Sequence, residues 1–186
     1  MSTFRSLFAP RRWRHERAGF ALYTAAVAAA RAPFLFRDLG VPDTLDGRFD
    51  VVGLYVFLVI DRLRRAAAPG PDLAQAVFDA MFSDMDVNLR EMGVGDLSVG
   101  KKVRTMWEAF HGRATAYATP LEAGDTLALA TALTRNVWRS AAPASAGALG
   151  LARLAFAQRA HLTGQALDRL AAGEVAFLPA EEAASA

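Results

Sequence analysis

Apolar residues recur along most of this chain at helical spacing, and no alternation runs long enough to predict a strand. Over residues 16–31, Leu22, Ala25, Ala26, Ala29 and Ala30 make a small-residue face suited to close packing against another helix. Pro33 ends that helix, because its ring disfavours helical backbone in the residue before it. Residues 32–45, with Pro33, Gly40 and Pro42, read as a loop that Phe34, Leu35 and Phe36 fold over the core. The segment 45–66 is apolar nearly all round, the pattern of a helix at the centre of a bundle. Asp43 or Thr44 would cap it. A further helix starts near Pro71 or Asp72 and runs to Met92, with Gly93 placed as a left-handed stop.

From about Ser98 a new stripe begins, carried by Val99, Val103, Met106, Trp107, Phe110 and Tyr117, with Lys101, Arg104, Glu108 and Arg113 on the wetter sides. Pro120 and Gly124 break it, although residues 119–122 also have capping-box spacing. Helices over residues 125–139 and 144–172 follow, the last closed by Gly173, with the remainder a tail carrying one short apolar clasp. The expected fold is all-α, a compact single-domain bundle of about six helices. Its divisions would be a basic arm at 1–17, a helical domain at 18–178 and a tail at 179–186.

Composition narrows the chemistry. The chain has 186 residues and is 53% hydrophobic, long enough to bury a real core. It has no cysteine, which excludes disulfides, thiolate metal sites and a cysteine nucleophile. His15, His111 and His161 lie far apart without ligand spacing, so neither a metal nor a cofactor is expected. The longest apolar runs, residues 20–30 and 51–60, are about half the ~20 residues a membrane-spanning helix needs. Net charge is +2, but residues 1–17 carry five arginines against Glu16, interleaved with Phe4, Leu7, Phe8 and Trp13. Such an arm could rest on anionic lipid headgroups or on RNA phosphates, or serve as a solubilising end.

Two motif lookalikes sit close together. Gly95, Gly100 and Lys101 in GVGDLSVGKK match the start of a phosphate-binding loop. The next position is Lys102 rather than the Ser/Thr that holds magnesium, and the preceding segment is polar and helical rather than a buried strand. Asp84, Asp86 and Asn88 have the spacing that opens a calcium loop, yet Leu89 stands where glycine must turn and Gly95 where a bidentate glutamate must ligate. Asp86 and Arg90 instead have the spacing of a surface ion pair on a helix. No nucleophile–base constellation accompanies these carboxylates. By elimination the chain is a non-enzymatic binding protein.

Three segments carry a resemblance. Residues 20–52 (FALYTAAVAAARAPFLFRDLGVPDTLDGRFDVV), residues 84–113 (DMDVNLREMGVGDLSVGKKVRTMWEAFHGR) and, more weakly, residues 124–138 (GDTLALATALTRNVW) resemble the ubiquinol–cytochrome c chaperone family. The resemblance spans roughly residues 18–178 and implies an all-helical assembly factor for the respiratory cytochrome bc complex. It implies nascent cytochrome b as client, with a small helical accessory protein and the ribosome as further partners and no DNA. The chain is similar to the shorter bacterial form, which implies a cytoplasmic protein, peripheral at the inner face of the membrane through client and basic arm.

A client of strongly apolar helices calls for an adaptable apolar lining with a polar rim. Met81, Met85, Met92 and Met106 cluster around the middle block and could supply that lining, or could fill the core. The expected partner surface is the GVGD turn with its charged border: Asp84, Asp86, Arg90, Glu91, Asp96, Lys101, Lys102 and Arg104. Asp43, Asp46 and Arg48 in PDTLDGRFD form a second expected surface, or a helix cap with local ion pairs. The alternative function is a helical carrier whose apolar interior encloses a quinone, lipid or haem. A hydrolase using the lookalike loop is the third.

Overall fold

The computed structural model describes residues 9–140 and 144–185. Residues 1–8 of the basic arm therefore lie outside the described residues, and its remainder enters the first helix. The elements in chain order are α1 (Ala9–Ala29), α2 (Pro33–Arg37), α3 (Leu45–Arg64), α4 (Gly70–Glu91), α5 (Asp96–Ala123), α6 (Thr126–Val137), α7 (Ala146–Thr163), α8 (Leu167–Ala171) and α9 (Ala180–Ser185). Among the described residues every regular element is a helix, and six of the nine are long.

The centre is α3. Residues 54–60 are all buried, so its neighbours surround it, as an all-round apolar helix requires. Thr44, not Asp43, caps it, accepting from the Gly47 amide at 3.1 Å. The small face of α1 packs along α4 with Leu22, Ala26 and Ala30 buried. Gly19 sets that approach: a Cβ there would lie 2.6 Å from the Ala76 backbone carbon. At the far end of α4, Gly93 adopts φ +81° and turns the chain into α5.

Several sequence expectations are corrected by long-range contacts. The loop at 32–45 contains α2, whose Leu35 is fully buried, while five residues are too few to show a period. Pro120 lies inside α5, and the left-handed Gly124 stops that helix; the capping role at the next start belongs to Asp125, which accepts from Ala128 at 2.8 Å. The helix expected from about Ser98 starts at Asp96, with Gly95 as an N-cap residue that makes no side-chain cap bond. Arg113 is on a packed side of α5 and Trp107 on an exposed one, the reverse of what the stripe suggests.

The last long helix divides at Gly164 into α7 and α8. Arg62 reaches across from α3 and donates to the Leu162 and Gln165 carbonyls at 3.0 and 2.9 Å, satisfying acceptors that the break frees. The tail is more firmly held than a clasp. Gln158, wholly buried, donates to the Leu178 carbonyl at 2.8 Å and accepts from its amide at 3.0 Å. Gln165 does the same for Ala176 at 2.7 and 2.9 Å. Phe177 meets Tyr55 edge-on at 5.3 Å, and α9 buries Ala180, Ala183 and Ala184 on the bundle.

Candidate partner-binding groove

Five helices enclose a groove. The second half of α1, with α2, forms one side; the start of α3 lies beneath; the end of α4 and the first half of α5 form the other side. Its volume is about 1140 Å³. Helical spacing explains why α5 faces it with Ser98, Lys101, Lys102, Thr105, Met106 and Ala109, since residues three and four apart share a face. In the same way α3 presents Leu45, Phe49 and Val52, and α4 presents Met85 and Leu89. The interior is apolar, and two of its apolar residues stand out in solvent: Leu45 is 70% exposed and Met92 56%.

The charged residues singled out from the sequence divide between two places. Asp43, Asp46, Arg48, Asp84, Lys101 and Lys102 line the groove, so the two stretches expected as separate surfaces border one space. Asp86, Arg90, Glu91, Asp96 and Arg104 lie outside it. There Arg90 pairs with Asp86 at 2.6 Å and also with Asp96, tying the end of α4 to the start of α5. Arg104 pairs with Glu108 at 3.0 Å along α5. The calcium-like residues stand within α4, where Asn88 donates to the Asp84 carbonyl at 2.7 Å. Of the four methionines around the middle block, Met81 is core, while Met85, Met92 and Met106 line the groove.

Electrostatics fix the groove walls from behind. Tyr23 donates to Asp84 at 2.7 Å, joining α1 to α4. Burial first, then the bond to Asp84, pushes the Tyr23 phenol well above its usual range, so it remains a donor. Arg48 pairs with Asp43 at 2.6 Å and holds that carboxyl below its usual range. Beneath the groove, Asp50 has no exposed side-chain surface and sits 2.7 Å from both Arg113 and Arg139. Burial pushes the Asp50 carboxyl up, and the two guanidiniums oppose that shift. Arg113 also lies over the Phe49 ring at 5.6 Å. Arg139, at φ +50°, donates to the Asn136 and Val137 carbonyls and so binds the end of α6 to the same carboxylate.

Sequence reasoning passed over Tyr23, Arg31, Arg37, Arg113 and Arg139 as groove residues, and Asp50 as their support. One signal for Asp50 was present: a carboxylate between Phe49 and Val51 in an otherwise apolar helix demands a buried partner. The others leave no local trace.

Fold and groove together define an all-α bundle with an apolar, charge-bordered cleft assembled from its helix ends. The chain belongs to the ubiquinol-cytochrome C chaperone family, whose model matches residues 37–177. It is similar to the crystal structure of the Cbp3 homolog from Brucella abortus, at 32% identity and a TM-score of 0.81, covering 97% of this chain and 99% of that one. It is also 25% identical over 126 residues to ubiquinol-cytochrome-c reductase complex assembly factor 1 of Xenopus laevis, covering 68% of this chain. The chain spans 62% of the length of that relative. Among the described residues no helix is long and apolar enough to cross a membrane.

Proposed function

We propose that this protein is a non-catalytic assembly chaperone for the respiratory cytochrome bc complex, and that it holds newly made cytochrome b by seating an apolar segment in the groove. Family membership supports the assembly role. The observation that carries the site is the groove itself, apolar inside, methionine-lined on α4 and α5, and large enough for helix. On this reading the protein works in the cytoplasm at the inner face of the membrane, where the client is inserted. The Asp86–Arg90–Asp96 network then holds the α4–α5 corner that shapes one wall, while the residues facing the groove make contact.

Crosslinking capture from cells tests this. Cytochrome b should be recovered with the wild-type chain and lost with Leu45→Asp/Met92→Asp, whose exposed positions leave folding intact. Normal levels of the cytochrome bc complex after deletion of the gene would overturn it. The groove volume also admits a hydrophobic small molecule such as a quinone, lipid or haem. Solvent extraction of the purified protein decides between the two, since a carrier would release a stoichiometric ligand.

A further inference from the structure

Seven basic and three acidic side chains line the groove. The acidic ones are already engaged: Asp43 by Arg48, Asp84 by the Tyr23 hydroxyl, and Asp46 by Arg139 at 3.6 Å. Asp50 beneath takes Arg113 and Arg139. Four cations remain, Arg31 after α1, Arg37 on α2, and Lys101 and Lys102 on α5, all exposed and none in an ion pair with a described carboxylate.

An occupant that covers the apolar interior also strips part of the water from these four groups. A neutral or basic segment would leave them desolvated without a counter-charge, which is costly, whereas carboxylates on the occupant would offset that cost. The cations thus reject wrong partners as well as attracting right ones. They stand on three separate parts of the wall rather than around one point, an arrangement for charges spread along a chain rather than for a single headgroup. At a helix diameter of about 10 Å and a rise of 1.5 Å per residue, the groove volume corresponds to roughly ten residues, or about three turns.

We infer that the groove selects an amphipathic helix of about three turns whose apolar face is bordered by carboxylates. This rests on the reading of the groove as the client or partner seat. Two fluorescent 14-residue peptides test it, sharing one leucine–alanine face and flanked by glutamate in one and lysine in the other. Anisotropy titrations with the full chain should show the glutamate peptide binding at least tenfold more tightly. The gap should narrow as salt rises, because the flanking charges are solvent-screened. Lys101→Glu/Lys102→Glu should erase the preference while leaving the thermal melt unchanged, since neither lysine side chain has a partner to lose among the described residues.

Equal binding of the two peptides overturns the inference but leaves the groove as a seat for apolar segments. Binding of neither overturns both. Co-sedimentation with phosphatidylglycerol vesicles, abolished by the same double substitution and accompanied by no peptide preference, overturns it in favour of a lipid surface.

Discussion

Asp50 and Arg90 both form ion pairs, and the physics of their surroundings gives the pairs different weights. The Asp50 carboxylate is wholly buried, and two guanidiniums from distant parts of the chain converge on it at 2.7 Å. Removing it leaves Arg113, whose side chain is 18% exposed, without a counter-charge. Breaking a buried pair from one side costs roughly 3 kcal/mol or more. Asp50→Ala should therefore lower unfolding stability in urea by about 3 kcal/mol, and it should loosen the groove by releasing Arg113 and untying it from Arg139. Arg90 joins Asp86 and Asp96 in solvent, where screening and side-chain entropy consume most of the attraction. Arg90→Ala should melt with the wild-type protein. Equal losses from the two substitutions would show that Asp50 is not the support described.

At the scale of elements, two glycines make opposite predictions. Gly19 lies where α1 touches α4, and an added methyl meets the Ala76 backbone at 2.6 Å. Gly19→Ala should cost about 1–3 kcal/mol, measured by denaturant unfolding, because the two helices must separate to admit it. Gly100 lies within the first turns of α5 with nothing within 4 Å of an added Cβ. Gly100→Ala should stabilise by about 0.5–1 kcal/mol, since alanine loses less backbone freedom in a helix. A phosphate-cradling glycine would not behave so. The segment GVGDLSVGKK is the turn and first helical residues of a corner, and its lysines border a groove.

These elements also show which parts of the structure were legible in the sequence. Helices whose apolar stripe or all-round burial is local, such as α3, α4 and the body of α5, stand out from residue spacing alone. The split between α7 and α8 does not, because the side chain that stabilises it is Arg62, a hundred residues upstream. The groove was half legible. Asp84, Lys101 and Lys102 mark one wall and Asp43, Asp46 and Arg48 another, yet nothing in either stretch says that they face a common space. That fact depends on α3 and α4 packing with α1, and on Arg139 returning from α6.

Over the whole molecule, the groove is built almost entirely by the first five helices, while α6–α9 form a base packed on α3 and α5 mainly through α6 and α7. Gln158 is the clearest joint in that base, with both polar atoms of its amide matched to Leu178. Gln158→Ala removes two hydrogen bonds in a buried place and should cost about 2 kcal/mol. Exchange of the Leu178 amide with deuterium should accelerate before that of the α3 amides. Groove binding measured with the glutamate peptide should persist.

That joint also sets a clock. Tyr55, at the heart of α3, receives its edge-on cover from Phe177, about 120 residues later in synthesis. At 5–20 residues per second the ribosome takes roughly 6–24 s to produce them. Through that interval the Tyr55 ring lacks this cover. A protein of a chaperone family thus begins life with part of its own apolar core awaiting cover, and the last of that cover comes with Phe177.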